Sequence, residues 1–561
     1  MPGPAERFTY LPVEGATDVL STAFADFFVP LHDAFAPRVR ALRETRLRVL
    51  RRALETRSLP GPLPYDPAVA GDWQVPPLPD ELRRPGIEIT GPVSITSMAI
   101  NALNPGPDGE RAAGYLDDDE DSAGHRLTDT VRATLNRLAA VNRTLHFTNP
   151  ENGREYALQP GDLPFFMHRE RGLALDERDV QIDGQPVVAC LLGTCLTLFH
   201  AGVAQAQRHQ GIYFYLPKLE SAEEAGFWRA FFDAARTAHP MLQTATIRAI
   251  ILVESLPMAF QMEEALYTLG RYAAGLNAAR WDFKASVLEF IMTDPAAVWP
   301  DRFGVDIKTT EFMANIFRRL VATCLKHGAV AIGGMATALP SRDEEVNRAA
   351  AASIRADKEW EARQGFTCAW VAHIYHMKAA GDPFIEIAKG EWAPTPEMRD
   401  PHNYPVRVVT PAGPITAAGN RRNVRMIIEY VEGWLAGRGA KGIDTLAGKP
   451  GIHPALMEDL ATGRISVAQT AQRILHGVKA EDTGETHTLA LTRTHFNDEL
   501  EDVLRLTREG GSLDPDTETR YRRAAKVGMH WVKNYTQLDF RSLGAYTRPE
   551  LEALAAGPDA F

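Results

Sequence analysis

Acidic side chains follow two of the apolar runs in the chain. Glu254 comes directly after the continuous apolar run 249–253, and Asp282 comes at the end of the next run. Carboxylate oxygens are the ligands that Mg²⁺ prefers, and two carboxylates completed by water form a common site for this ion. The pattern alone leaves two interpretations open: a metal site on both acids, or an ion pair between Glu254 and Lys218.

A second acidic pair, Glu458 and Asp459, lies at the start of the helical-looking segment ALMEDLATGRIS, residues 455–466. Successive positions of a helix point about 100° apart, so at most one of the two carboxylates faces a pocket. The other would serve as an ordinary acid at a helix start. The spacing does not say whether either one takes part in catalysis.

Two arginines, Arg169 and Arg171, lie at the end of the apolar run 164–169. An arginine that faces metal-binding acids can stabilise a developing oxyanion or clamp a carboxylate through two hydrogen bonds. An ordinary surface cation is the alternative. The pattern does not choose between the two arginines.

The histidines offer a competing interpretation, because His373 and His376 have a spacing found in zinc sites. Their segment is predicted to be a strand end, where positions i and i+3 point to opposite faces, and no third ligand is near in sequence. We therefore predict core or hydrogen-bonding histidines. A GxxxxGK[ST] motif is absent and IGGMATAL lacks the GxGxxG spacing, which excludes the common nucleotide-binding loops.

The elements that would position these residues form a regular series. Eight short apolar runs with helix-length spacers predict an α/β fold, a (β/α)₈ TIM barrel, in which catalytic groups lie at the carboxyl ends of the strands. Asn-Gly and Asp-Gly turns predict two hairpins, at 149–156 and 181–188. The predicted strands lie within 97–103, 112–117, 164–169, 212–219, 247–255, 274–283, 329–335 and 367–374.

Proline-rich passages divide the chain into four predicted regions. Residues 1–86 form an N-terminal helical clasp and a proline-rich linker, and 87–392 form the barrel. A second linker at 393–414 leads to a C-terminal helical domain at 415–561.

Composition narrows the class of protein. The chain has 561 residues, a formal net charge of −11 and no long basic run, which argues against nucleic acid or an anionic membrane as partner. We find no run of about 18 apolar residues that would predict a membrane-spanning helix. Four scattered cysteines and an N-terminus without secretion features predict a cytoplasmic protein. We expect an enzyme that acts on small molecules, as a monomer or small homo-oligomer.

Seven motifs follow one another in this order along the chain: GIYFYLPKLES, AIILVES, AAGLNAARWDF, KHGAVAIGGMATALPSRD, EVNRAAAASIRADKEWEARQGF, WVAHI and MEDLATGRIS. Together they resemble malate synthase of the A type, the branch without a large inserted α/β domain. The resemblance covers about 87 to 475 and implies a barrel with an N-terminal clasp and a C-terminal helical plug. It also implies condensation of glyoxylate with acetyl-CoA, Mg²⁺ as cofactor and a place in the glyoxylate bypass.

The resemblance assigns roles residue by residue. It implies that Glu254 and Asp282 bind the metal, that Arg171 of RERGL stabilises the enolate, and that Asp459 is the base. Glyoxylate would also rest on backbone N–H groups. The implied backbone donors are Ala279, Arg280, Trp281 and Asp282, and the residues implied at the CoA site are Ser122 and Ile374.

The sequence departs from the family pattern at several places. Glu170 and Leu173 replace a Pro and a Trp beside Arg171, and Ile374 replaces a Pro at the adenine end of the CoA site. The family's FGLYFFHNA is TCLTLFHAG here, and the passage 440–456 is longer. These changes keep two alternatives open: a related Mg²⁺-dependent condensing enzyme, lyase or thioesterase using another 2-oxo acid, or a catalytically silent paralogue.

Overall fold

The computed structural model describes residues 2–307, 310–444, 446 and 454–556, which fold into two compact units. The first unit contains the described residues of Met1–Arg46, Pro62–Ala279 and Phe317–Pro405. The second contains those of Leu47–Gly61, Arg280–Ile316 and Val406–Phe561. The segment predicted as the barrel, 87–392, is thus divided between the two units.

The strands form one closed barrel and three small sheets among the described residues. In chain order they are β1 (Phe8–Tyr10), β2 (Gly86–Gly91), β3 (Gly114–Asp118), β4 (His146–Thr148), β5 (Glu155–Ala157), β6 (Phe165–Arg169), β7 (Asp176–Ile182), β8 (Gln185–Val188), β9 (Ile212–Leu216), β10 (Ile247–Val253), β11 (Ala273–Ala278), β12 (Val330–Ala336), β13 (Cys368–Val371), β14 (Lys441–Ile443) and β15 (Leu456–Glu458).

The barrel confirms the predicted fold class. Its strands run parallel in the order β2, β3, β6, β9, β10, β11, β12 and β13, and β13 pairs with β2 to close it. Alternate residues of each strand point inward, so that positions two apart, such as Tyr213 and Tyr215 or Ile250 and Leu252, share one buried core. Because all strands are parallel, their carboxyl ends meet at one rim.

Seven of the eight predicted runs contain a barrel strand, and the first prediction is wrong. Residues 97–103 belong to a helix, Thr96–Leu103, and the missing strand is Gly86–Gly91. A short apolar run does not distinguish a strand from a buried helix. The run 274–283 is a strand only as far as Ala278, after which a helix begins at Arg280.

The helices, in chain order, are α1 (Pro4–Arg7), α2 (Ala16–Val19), α3 (Thr22–Thr56), α4 (Pro67–Ala70), α5 (Thr96–Leu103), α6 (Leu127–Val141), α7 (Ala189–Thr197), α8 (Val203–Gln207), α9 (Ala222–Ala238), α10 (Leu256–Ala259), α11 (Met262–Leu269), α12 (Arg280–Phe290), α13 (Glu311–His327), α14 (Glu344–Gln364), α15 (Met377–Lys389), α16 (Ala417–Leu435), α17 (Leu460–Leu475), α18 (Leu489–Glu509), α19 (Pro515–Thr536) and α20 (Arg548–Ala556).

Side-chain caps fix where several helices begin. Asp343 caps α14 by accepting a hydrogen bond from the N–H of Glu345, and Gly365 ends this helix in the left-handed region at φ 104°. In the second unit, α16 packs against α17, α18 and α19, and α12 packs against α17. Val424, Ile427, Ile428 and Val431 of α16 are fully buried.

Both hairpin predictions are confirmed. β4 pairs with β5 across the Asn-Gly turn, and β7 pairs with β8 across the turn at Asp183 and Gly184. Glycine at position 184 is required there because its φ is +73°.

One helical stretch corrects the expectation that no membrane-spanning candidate exists. Ala189–Gln207 is long and apolar enough to cross a membrane by length and composition, and 78% of its apolar window is buried inside the protein. This burial is that of a core helix.

Candidate active site

The carboxyl end of β3 carries five consecutive acids, Asp117 to Asp121, and all five are buried. Burial of so many carboxylates requires cationic or hydrogen-bonding partners. Asp117 accepts hydrogen bonds from Arg137 Nε at 2.7 Å and from His168 Nδ1 at 2.6 Å. Asp118 accepts two from Arg169, at 2.7 and 2.6 Å.

The last acid of this run, Asp121, lies beside Glu254 at the end of β10. Their nearest carboxylate oxygens are within 4.8 Å of each other, and both carboxylates are buried. Lys218, at the end of β9, places Nζ 2.8 Å from Asp121 Oδ2 and 3.4 Å from Glu254 Oε2, and its backbone N–H donates to Glu254. The structure therefore shows features of both interpretations of Glu254. This residue pairs with Lys218 and also lies beside a second acid, Asp121.

Electrostatics separates the acids of this cluster. Burial acts to raise the pKa of Asp121, but Lys218 and Arg169 outweigh it and hold the pKa below its usual value. Burial and the neighbouring charge of Asp121 raise the pKa of Glu120. Of Glu120 and Asp121, Asp121 is therefore the acid that stays ionised.

The donor set fits a small divalent cation. Asp121 and Glu254 offer hard carboxylate oxygens, and Asp121 Oδ1 is buried without a hydrogen-bond partner among the described residues. An ionised carboxylate with an unused buried oxygen is a suitable ligand for Mg²⁺.

The two candidate arginines have different surroundings. Arg169 uses Nε and Nη2 to hold Asp118, and its guanidinium lies 5.4 Å from the ring centre of Trp370. Arg171 uses Nη2 alone, which donates to Glu177 Oε2 at 2.9 Å and to Thr130 Oγ1 at 3.4 Å. Arg171 is thus the arginine that keeps more of its fork available, in line with the role implied by the resemblance.

The replaced residues beside Arg171 are accommodated within the first unit. Glu170 lies 3.0 Å from Arg137 and accepts a hydrogen bond from Thr197, which belongs to the other departing stretch, 194–202. Gly193 makes room, because a Cβ at this position would lie 2.3 Å from Glu170 Oε2. Leu173 is fully buried. Glu170 therefore pairs with Arg137.

Asp282 lies in the first turn of α12, in the second unit. Its Oδ1 is 3.2 Å from Arg464 Nη1, and Arg464 also holds Glu289 further along α12. Arg280 and Trp281 open the same helix, so their backbone N–H groups lie at its N-terminal end. These N–H groups are the implied glyoxylate donors, and Ala279 directly precedes them.

Asp459 and Glu458 take different positions in the second unit. Asp459 caps α17, with Oδ1 accepting from the N–H of Ala461 at 3.1 Å. Glu458 ends β15 and is buried, so its prediction as a surface or helix-start acid is wrong. Burial raises its pKa, against the opposing charges of Arg302 and Arg422.

The residues implied at the CoA site, Ser122 and Ile374, both belong to the first unit. Ser122 Oγ donates to Asp118 Oδ2 at 2.5 Å and so closes the turn after the acid run. Ile374 lines an open groove of about 580 Å³. The other residues of the groove are Pro107, Asp108, Ala351, Ala352, Arg355, Tyr375, Lys378 and Ala379.

The zinc interpretation finds no support in the described part of the chain. The group of acids with ligand spacing found there contains no histidine. His373 Nδ1 accepts from the N–H of Tyr375 at 3.2 Å, and His376 is buried. Most of the lengthened passage 440–456 lies outside the described residues.

Sequence reasoning did not find Asp121 or Glu177. The signal for Asp121 was present, because five acids in a row at a strand end are unlike the rest of the chain. Glu177 gave no signal, since its meeting with Arg171 depends on how β7 folds back.

The closed barrel and the acids at its strand ends are typical of (β/α)₈-barrel enzymes that bind a metal ion through carboxylate oxygens. The family model for the malate synthase TIM barrel domain matches residues 165–395, and the model for the malate synthase C-terminal domain matches 414–548.

Curated relatives agree with the family models. Malate synthase of Myxococcus xanthus (strain DK1622) is 37% identical over 91% of this chain and 90% of its own length. That of Streptomyces clavuligerus is 37% identical over 95% and 96%, and malate synthase A of Escherichia coli (strain K12) is 31% identical over 95% and 96%. The chain belongs to the malate synthase family.

Proposed function

We propose that the protein condenses acetyl-CoA with glyoxylate and hydrolyses the resulting thioester to malate and CoA. Family membership supports the reaction, and the observation that carries it is the pairing of Asp121 with Glu254 at the barrel rim that also bears Arg171. Carboxylates for a cation and an arginine for an oxyanion are the two groups that this chemistry needs.

Glu254 and Asp282 would hold Mg²⁺, with Asp121 as a third carboxylate. Asp121 and Glu254 are adjacent in the first unit, and Asp282 follows the end of β11 by only four residues of chain. Mg²⁺ held there would supply Lewis-acid polarisation of the aldehyde of glyoxylate and a positive charge to offset the negative charge that develops on its oxygen. Before a metal binds, the ammonium group of Lys218 would reduce the repulsion between Asp121 and Glu254.

Asp459 would remove a proton from the methyl group of acetyl-CoA. A thioester methyl group is a weak acid, so the proton leaves only if the enolate oxygen is stabilised, which is the task of Arg171. Within the second unit, Asp459 lies at the N-terminus of α17, and Arg464 of this helix contacts Asp282. The proposed base and the proposed metal ligand are therefore carried by two helices packed together.

Glyoxylate would also be held by main-chain N–H groups at the start of α12. The N-terminus of a helix presents N–H groups and partial positive charge to an anion. Arg280 supports this segment, because its Nη1 lies 3.7 Å from Asp306 Oδ1.

The groove beside Ile374 is a suitable place for the adenosine end of CoA. Tyr375 is 38% exposed there and offers an aromatic surface, while Arg355 and Lys378 stand at the rim. Both cations are also paired with acids such as Asp382. We therefore attribute binding of the adenosine end mainly to packing of Tyr375 against the adenine ring.

Release of CoA thiol tests the proposed function directly. Acetyl-CoA, glyoxylate and Mg²⁺ should together give CoA-SH at a rate that falls to background when glyoxylate is omitted. Absence of thiol release at saturating substrates would refute the proposal. Release from acetyl-CoA alone would identify a thioesterase, and faster turnover with pyruvate than with glyoxylate would identify a different 2-oxo acid.

The four cysteines support a reducing compartment. Cys190, Cys195, Cys324 and Cys368 are all buried free thiols, and burial raises the pKa of each. This fits the proposal of a cytoplasmic enzyme.

A further inference from the structure

The guanidinium of Arg171 is held by a carboxylate from outside the barrel strands. Glu177 lies in β7, is 4% exposed, and accepts from Arg171 Nη2 at 2.9 Å. Both residues belong to the first unit, and six positions separate them in sequence.

Glu177 is itself fixed at its second oxygen. Oε1 accepts a hydrogen bond from the backbone N–H of Asp179 at 3.1 Å. The register of the pairing between β7 and β8 shifts between Glu177 and Gln181, and Glu177 is the last paired residue before this irregularity.

The segment between Arg171 and Glu177 is clamped by Arg43 of α3. Arg43 Nε donates to the carbonyl of Leu173 at 2.6 Å, Nη2 to that of Leu175 at 2.9 Å, and Nη1 to Asp176 at 2.9 Å. Three hydrogen bonds from one planar guanidinium fix both position and orientation. The segment that carries Glu177 to Arg171 is therefore constrained from both ends.

The hydrogen bonds of Arg171 use one guanidinium nitrogen and leave the other two for a ligand. Among the described residues, both bonds come from Nη2, to Glu177 and Thr130. Nε and Nη1 remain for an oxygen of the substrate. A guanidinium that is fixed at one nitrogen and open at the others is preorganised for a developing oxyanion.

We propose that Glu177 is a positioning residue that orients Arg171 for enolate stabilisation, and that Arg43 supports it by clamping residues 173–176. The inference rests on the proposed function, because it assigns Glu177 a task in proton removal from acetyl-CoA. Neither Glu177 nor Arg43 contacts the substrate in this proposal.

The decisive comparison is between Glu177→Gln, Glu177→Asp and wild type. Gln removes the charge and one acceptor oxygen, whereas Asp keeps the charge and withdraws it by one methylene. Misplacement of a catalytic group by about 1 Å lowers turnover by roughly 100-fold. We expect kcat to fall about 10- to 100-fold in both variants, with the KM for acetyl-CoA and the Mg²⁺ requirement changed much less.

Glu170→Gln is the matched control. Glu170 is equally buried and loses the same charge, but its partners are Arg137 and Thr197. We expect it to lower thermal stability while the folded enzyme keeps most of its kcat. Equal loss of kcat in Glu170→Gln and Glu177→Gln would show a general effect of buried charge and overturn the proposal.

Chemical rescue gives a measurement that a purely structural role would not change. Guanidinium ion added to Arg171→Ala should restore part of the activity, because Glu177 still marks the place of the lost group. Arg171→Ala combined with Glu177→Gln should not be rescued. Equal rescue in both variants would overturn the proposal.

Arg43→Met keeps the test valid if the Glu177 variants do not fold. Arg43 is partly exposed and distant in sequence from the strand ends, so we expect a folded protein with a smaller loss of kcat in the same direction. Unchanged kcat in this variant would remove Arg43 from the proposal. An inactive wild-type enzyme would instead refute the proposed function, so the two failures are distinguishable.

Discussion

The barrel rim of the first unit and the surroundings of Glu458 in the second unit have opposite electrostatic character. At the rim, the acid run 117–121 and Glu254 outnumber cations such as Arg169 and Lys218. Around Glu458, cations dominate. The guanidinium groups of Arg302 and Arg422 lie 4.0 and 3.4 Å from the ring centre of Phe303, and burial lowers the pKa of Arg302 to about 10.

The contrast shows how position in the fold gives similar acids different tasks. Rim acids in excess repel one another, and a bound cation relieves this repulsion. Glu458 is one buried acid, and the charges of Arg302 and Arg422 oppose the rise of its pKa on burial. Asp459, the next residue, is only partly buried and caps α17.

The largest effect is expected at the proposed base in the second unit. Asp459→Asn should lower turnover by about 10²- to 10⁴-fold, the usual contribution of a general base. Asn caps helices as well as Asp does, so the fold should be retained. CoA-SH release and circular dichroism measure the two outcomes, and an active variant would remove Asp459 from this role.

The next effect concerns the stability of the second unit. Arg464→Met leaves Asp282 and Glu289 without their shared cation, and breaking such a pair destabilises by about 3–5 kcal/mol. Urea unfolding should shift accordingly. Arg505→Met, which removes an exposed cation of α18, is the control and should leave the unfolding curve in place.

The third effect tests the acid excess at the rim. Glu254→Gln and Asp121→Asn should each raise the Mg²⁺ concentration for half-maximal activity by roughly 10- to 100-fold, the range seen when groups that support a metal are lost. Glu263→Gln is the control, because this partly buried acid holds Lys326 and His327 instead. An unchanged Mg²⁺ requirement in both rim variants would contradict their assignment as ligands.

The smallest effect is on the pH dependence of stability. Burial raises the pKa of Glu88 from 4.5 to about 7, with hydrogen bonds from Tyr215 and Trp370 opposing the shift. The folded state therefore holds this proton where the unfolded state has lost it. The contribution of Glu88 to the free energy of unfolding is fully present below pH 4.5 and is lost as the pH rises through 7.

We expect stability to fall by about 2 kcal/mol between about pH 5.5 and 7 from this group. Glu88→Gln should remove that part of the slope, as measured by urea unfolding at both pH values. An identical slope in wild type and variant would assign the dependence to other groups.

The barrel could be predicted because its strands are apolar runs in a regular series. Seven runs contained a strand, and the acids and arginines at their ends were found from position alone. The strand at Gly86–Gly91 was missed because Glu88 and Thr90 interrupt its apolar pattern. The burial of these two polar residues is visible only in the folded protein.

The sequence by itself determined the family and the parallel β/α order, and it predicted the residues that the proposed reaction needs. It could do so because strand ends and ordered motifs are local properties of the chain. Tertiary structure alone decided the partners of these residues. Glu254 stands beside Asp121, Arg171 is held by Glu177, and Glu458 is buried between two arginines. The physical reason is that charge pairing and burial depend on distances between segments far apart in the chain, which no local pattern records.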